Sequence, residues 1–307
     1  LPSQPLAATA SGQEATAARV LWPIDKLFLA NSLIQICLLS VSARNDARAL
    51  LLITAHTVAI GLILGLARAT AGAWLFLRHW FILAYLPLCY KEVPLIVVAL
   101  RLPAADFKLA GWDLGMWRID PVFWLSSFQN RGLVELLQVV YTLFIPGVLA
   151  LGVLMWLRRP RTGFRYGTFL IAGTFLISYL GYLVLPARGP RFLPYAAQHP
   201  LHGWWMFTTF QQLLDSLEGA QYDCFPSGHV AVVLVGCYLA RRISPLAFYT
   251  YCLFAALITV STIYLRYHYV IDVIAGTALA IVIIASGPWI YRKLEPASFI
   301  GTNKGER

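Results

Sequence analysis

Tyr222-Asp223-Cys224-Phe225-Pro226-Ser227-Gly228-His229 opens the stretch on which the reading of this chain turns, and Tyr264-Leu265-Arg266-Tyr267-His268-Tyr269-Val270-Ile271-Asp272 closes it. Between the two histidines lie an apolar run, the basic pair Arg241-Arg242, Ser244-Pro245 as a break, and a second apolar run to about Tyr264. That pattern predicts one helix crossing a bilayer and another crossing back, which returns His268 to the face where His229 began. At about 1.5 Å of rise per residue, the first arm from Gly228 to Arg242 covers roughly 20 Å of a hydrocarbon core about 30 Å thick. His229 is therefore expected below the headgroups, inside protein. Ionisable groups at that depth are costly unless they face a polar cavity or a partner. His229, Arg266, His268 and Asp272 converging on one cavity mark a candidate catalytic site.

Composition places this hairpin in a polytopic membrane protein. The 307 residues are 59% hydrophobic and 12% charged, about half the charged share of an ordinary soluble domain. Several apolar runs approach the length of a spanning helix, so the chain reads as one membrane domain. The formal charge of +10 follows from basic residues gathered in cytoplasmic loops. No basic, aromatic-interleaved soluble segment exists to suggest a nucleic-acid partner. Five cysteines, mostly inside apolar runs and without CxxC spacing, suggest neither a disulfide framework nor a zinc site.

Taken in order, residues 1–20 read as a disordered or surface tail. Residues 21–131 carry the first membrane helices and interfacial segments, 132–293 the catalytic membrane core, and 294–307 a cytoplasmic tail. The expectation is an all-α integral membrane bundle of about eight crossings: 27–42, 49–67, one from about Arg78 broken at Tyr90-Lys91-Glu92-Val93-Pro94, 133–157, 163–185, the two arms of the hairpin, and 268–291. Residues 101–131, rich in Trp and Phe, resemble segments lying in the interface. Tyr264, Tyr267 and Tyr269 read as interface anchors, and 186–226 as a long loop. Fourteen of the 24 Lys and Arg residues, Arg78 among them, fall on one side of these crossings. That side is expected to be cytoplasmic, with both termini, and the histidine cavity to face the periplasm, exterior or a lumen.

The residue types suit attack on a phosphate ester. Guanidinium groups hold phosphoryl oxygens in a planar fork and stay charged. His268 and Asp272 are four apart, so Asp272 is placed to accept from one ring nitrogen and leave the other aimed at phosphorus. His229 is the candidate acid for the departing alkoxide. Ser227 is expected to cap the following helix, where it and Gly228 present backbone N–H groups to phosphoryl oxygens.

Pro226-Ser227-Gly228-His229 followed by His268-xxx-Asp272 across two crossings resembles the type 2 phosphatidic acid phosphatase (PAP2) superfamily, over roughly residues 165–292. The Gly189-Pro190-Arg191 and His268-Tyr269-xxx-Asp272-Val273 versions are most similar to the inositol phosphorylceramide synthase-like and bacterial PAP2-like subgroup. The resemblance implies a helical membrane bundle with His268 as nucleophile, Arg191 as a phosphate ligand, and no metal or other cofactor. The expected substrate is a lipid phosphate, with water or an alcohol such as inositol as acceptor. Two positions depart from the pattern: Val184 stands where the first motif has Lys, and Thr262 where the third has Arg. Arg266, Arg188 and Lys91 are the expected replacements. The alternative from another class is a lipid transporter or scramblase, whose charged cavity does no chemistry; it has no need of a Pro-Ser-Gly-His helix start.

Overall fold

The computed structural model describes residues 21–40, 47–218 and 222–295. The expected tails at 1–20 and past 295, and the link at Arg44–Asp46, lie outside them. Helix is the only regular structure among the described residues: α1 Pro23–Ser40, α2 Ala47–Leu66, α3 Gly72–Trp80, α4 Ile82–Ala99, α5 Asp106–Trp117, α6 Pro121–Ser127, α7 Arg131–Thr142, α8 Phe144–Arg158, α9 Arg161–Val184, α10 Pro194–Gln198, α11 Met206–Glu218, α12 Gly228–Arg241, α13 Pro245–Tyr264 and α14 Val270–Leu294.

Six helical segments are long and apolar enough to cross a membrane, namely α1, α2, Gly72–Ala99, α9, α13 and α14. The pair α7 and α8 passes the same test together, but is bent by 46° at a break, bringing the number to at most seven. Helix α12 has only 14 residues, or about 21 Å at 1.5 Å per residue. The expected count of eight thus meets six clear spans, a broken one and a short one.

Local chemistry explains where these helices begin. Ser227 caps α12 by accepting from Val230 N, and Asn130 caps α7 from Leu133 N. Asp120 before Pro121 and Ser244 before Pro245 pair a capping side chain with a proline whose missing N–H costs nothing in the first turn. The expected break at residues 90–94 is not there. Helix α4 runs through both Pro87 and Pro94, and it starts one short turn after α3, so the third apolar segment begins at Gly72 rather than near Arg78.

The chain divides into two compact units, one made of residues up to Tyr85 with those from Pro288, the other of Leu86–Gly287. In the first unit, Arg78 is not a loop cation. It is 5% exposed, ion-paired with Asp25, bonded to the Ala67 carbonyl, and stacked 3.7 Å over the Trp22 ring. Its charge is therefore spent inside the unit and carries no weight in a positive-inside count. A buried polar group gathers at Tyr85, whose hydroxyl donates to Phe28 O at 2.8 Å and meets Ser32 Oγ at 2.7 Å.

The second unit holds both histidine motifs. Two apolar clusters flank them: Val134, Leu137, Tyr141, Phe207, Tyr264, Leu265 and Tyr267 in one, and Ala105, Leu109, Ala187, Leu193, Cys224 and Tyr269 in the other. All three tyrosines expected at the interface are thus buried, because the loop between α13 and α14 folds into the unit rather than onto its surface. The long segment before α12 is also more ordered than a loop, carrying α10 and the 13-residue α11. Helices α5 and α6 do show exposed aromatic rings, with Phe107, Trp112, Trp117 and Trp124 all outward.

Candidate active site

The hairpin brings the two histidines together. His229 sits in the first turn of α12 and His268 in the turn after α13, with His229 Nδ1 3.2 Å from His268 Nε2. His268 is 2% exposed, and its Nδ1 lies 2.9 Å from the carbonyl oxygen of Cys224. A carbonyl only accepts, so Nδ1 carries the proton and Nε2 keeps its lone pair toward His229.

Asp272 does not bond the ring as its spacing suggested. Its Oδ2 is 3.6 Å from His268 Nδ1, beyond a normal hydrogen bond. That oxygen instead accepts from Tyr269 N and from the Cys224 thiol, both at 2.8 Å. The reason is competition: the thiol and the amide reach the carboxylate first, and the Cys224 carbonyl takes the imidazole proton. Asp272 remains a buried carboxyl group beside the ring, with Oδ1 lacking a hydrogen-bond partner. Cys224 thus touches both groups. Burial foremost, and then the neighbouring carboxylate, push its thiol well above the usual range, which keeps it a donor.

The Pro-Ser-Gly-His turn is packed from two sides. A side chain at Gly276 of α14 would meet the Ser227 carbonyl, and one at Gly228 would meet the Tyr182 hydroxyl and Ser178. Only hydrogen fits at either approach. Ser227 N donates to Asp272 O at 3.0 Å, tying the two motifs backbone to backbone.

The basic residues are placed unequally. Arg191 donates its backbone N–H to Arg266 O at 3.0 Å. Its guanidinium lies 4.5 Å over the Tyr267 ring, that ring stacks on Tyr141 at 4.0 Å, and Tyr141 stacks on His229 at 4.7 Å. Three motifs are linked by this one stack. Arg266, in a left-handed backbone conformation, gives Nε to Ser126 Oγ at 2.9 Å and Nη1 to His199 O at 2.6 Å. Arg188 places its guanidinium 4.0 Å over Phe192, and Lys91 is exposed on α4. Among the described residues, the Arg266 guanidinium is thus held by Ser126 and the His199 carbonyl, and that of Arg188 lies against a ring.

Two carboxylates that sequence reading passed over hold the site from α5. Asp106 accepts from Arg188 N, Gly189 N and the Tyr269 hydroxyl. Asp113 accepts from Val270 N and Ile271 N, both at 2.8 Å, and so caps the helix that carries Asp272. Burial pushes the Asp113 carboxyl up to about 6, against the pull of those two amides. Their seven-residue separation on one helix is the only signal the sequence offered. Asp223 is similarly engaged, accepting from the Tyr90 hydroxyl at 2.9 Å.

Cys224, His268 and Asp272 present ligand-type atoms all within 4.8 Å of one another, a set of the kind that holds a metal. Here the donors are turned on one another, thiol to carboxylate and imidazole to the Cys224 carbonyl.

Comparison with known proteins adds sequence evidence to this geometry. A PA-phosphatase related-family protein of Dictyostelium discoideum is 28% identical over 120 residues, which cover 37% of this chain and 21% of that relative. The chain therefore spans about a fifth of that protein's length. No solved structure matches it significantly. The PAP2 superfamily matches over residues 114–286, a segment that holds Arg191, the Pro-Ser-Gly-His turn, His268 and Asp272 and exceeds half the chain. With that extent of match around a paired-histidine site, the chain belongs to the PAP2 superfamily.

Proposed function

We propose that the protein is a phosphatase-type membrane enzyme that cleaves a lipid phosphate through a phosphohistidine on His268. The observation that carries this reading is the histidine pair, with Nδ1 of His268 set on the Cys224 carbonyl and its Nε2 facing His229 Nδ1 at 3.2 Å. A phosphoryl group enters by parting the two rings. Nε2 of His268 attacks phosphorus, the P–O ester bond breaks, and His229 gives its proton to the leaving alkoxide. His229 then takes a proton from the acceptor, whose oxygen displaces His268 and breaks the P–N bond. Water as acceptor releases phosphate, whereas an alcohol such as inositol yields a new ester, as in the inositol phosphorylceramide synthase-like subgroup. Cys224 O holds the Nδ1 proton throughout, and Asp272 stabilises the imidazolium character that develops. Arg191 and the Gly228 backbone amide are the phosphate ligands, and the Ser227 amide joins them only by leaving Asp272 O. Arg266 and Arg188 serve in that role only by leaving their present partners, and Lys91 by reaching in from α4.

The test is turnover of a panel of lipid phosphates by purified protein in detergent, with and without inositol. Orthovanadate should inhibit, because trigonal-bipyramidal vanadate bonded to a histidine nitrogen mimics the pentacoordinate transition state. EDTA should leave the rate unchanged, since arginine and helix-end amides neutralise the phosphate. Full activity at saturating vanadate, or loss in EDTA restored by Mg²⁺, would point to a different phosphoesterase chemistry.

The same reading fixes a side of the membrane. If α12 and the bent α7–α8 pair each cross, making eight crossings, then Arg158, Arg159, Arg161, Arg241, Arg242, Arg292 and Lys293 lie at helix ends opposite the histidines. The positive-inside rule holds those ends in the cytoplasm, with both termini, so the site faces an extracytoplasmic leaflet. Gln198 and Thr162 are both exposed and suit labelling in a background lacking the exposed Cys37. A cysteine at Gln198 should react with a membrane-impermeant maleimide in intact cells, and one at Thr162 only after lysis. The reverse pattern would refute the orientation.

A further inference from the structure

The expected phosphate ligand Arg191 already holds an anion. Its Nη2 lies 2.9 Å from Asp215 Oδ1, in an ion pair supplied by α11 rather than by either histidine motif. The two partners are unequally exposed: the Arg191 side chain keeps 11% of its surface, whereas Asp215 keeps 48%. That asymmetry decides which partner exchanges. A guanidinium set against Tyr267 and mostly out of water needs a counter-charge, so releasing it unpaired is costly. A half-exposed carboxylate regains hydration on leaving Arg191. A phosphate oxygen offers the same fork of acceptors with more charge.

We infer that Asp215 is an internal competitor for the phosphate group of the substrate, occupying Arg191 until a phosphate takes its place and thereby setting the affinity of the site. The inference rests on Arg191 as a phosphate ligand, as proposed above. It goes further in assigning α11 a role: its Asp215 carboxylate leaves Arg191 when substrate binds and returns when phosphate departs. Residues that merely orient Arg191 would act in the opposite direction, which makes the sign of one substitution decisive.

Asp215→Asn keeps the size of the side chain and removes its charge. At low ionic strength, where an exposed pair is least screened, the variant should bind orthovanadate and inorganic phosphate about 3- to 5-fold more tightly, the scale set by exposed ion pairs. Binding is read by ligand-induced thermal shift in detergent, with no need of turnover. The gain should vanish when Arg191→Gln is added. Unchanged or weaker binding in Asp215→Asn overturns the proposal, as does a gain that survives Arg191→Gln or a failure of either anion to bind wild type or variant. If the chain hydrolyses no lipid phosphate yet Asp215→Asn tightens vanadate binding through Arg191, the competitor role stands and the hydrolytic reading alone falls.

Discussion

His268→Ala should lower kcat by roughly 10⁴-fold or more, the scale on which removal of a covalent nucleophile acts. In the proposed mechanism the ring forms the bond to phosphorus in the first step, and the neighbouring thiol is no substitute. Cys224 has the intrinsic nucleophilicity, but its thiol is buried and held to Asp272 at 2.8 Å. Truncation also strips a donor from the Cys224 carbonyl, and a buried acceptor left unpaired costs about 1–3 kcal/mol. Thermal melting must therefore accompany the assay, with His268→Asn as a second variant that keeps an amide donor near that carbonyl. Folded variants without turnover and without acid-labile phosphoenzyme are the expected result. A folded His268→Ala protein with near-normal kcat would end the phosphohistidine reading.

His229→Gln should cost about 10² to 10⁴ in kcat, the range of a positioned general acid. This loss differs in kind, because it depends on the leaving group. An alkoxide departs poorly without a proton, whereas a nitrophenolate departs well unaided. In kcat/KM, which reports P–O cleavage and not the later step in which His229 is the base, the defect against an aryl phosphate should shrink by at least about tenfold, while that of His268→Ala stays complete. The imidazole is also packed between Phe144 at 4.4 Å and Tyr141 at 4.7 Å, so glutamine is preferred to alanine to limit the void. Equal defects in kcat/KM on alkyl and aryl esters would assign His229 to binding or packing instead of proton transfer to the leaving group.

The parts of the site that were legible in sequence are those written locally. Pro226-Ser227-Gly228-His229 announces a helix start, a cap and a histidine within one turn, and the capping bond from Val230 N to Ser227 Oγ is there. The return of His268 to His229 followed from counting two apolar arms, a property of the chain alone. What stayed hidden was written across distance. Asp113 meets the amides of Val270 and Ile271 across 157 and 158 positions of sequence, and a carboxylate in an aromatic-rich segment reads as interfacial polarity. Tyr141 has no motif, and its place is decided by the packing of α7 against α13. The length of the Asp272 contact, 3.6 Å to His268 Nδ1, has a related reason. Spacing of four residues brings two side chains close, but a third group, Cys224, decides which hydrogen bonds form. Charges misled in the same way: Arg78 and Arg266 look like surface or phosphate-facing cations, yet each is bonded inside its own unit.

The clasp made by α5 separates two boundaries that are easily taken as one. Shared ancestry is detectable from residue 114 to 286, and Asp106 and Asp113 both fall just before it. An excised fragment cut at that homology limit would keep every motif residue and lose the acceptors for five donors, on Arg188, Gly189, Tyr269, Val270 and Ile271. The matched family segment and the hydrogen-bonded surroundings of His268 therefore have different edges, the latter reaching back to Asp106.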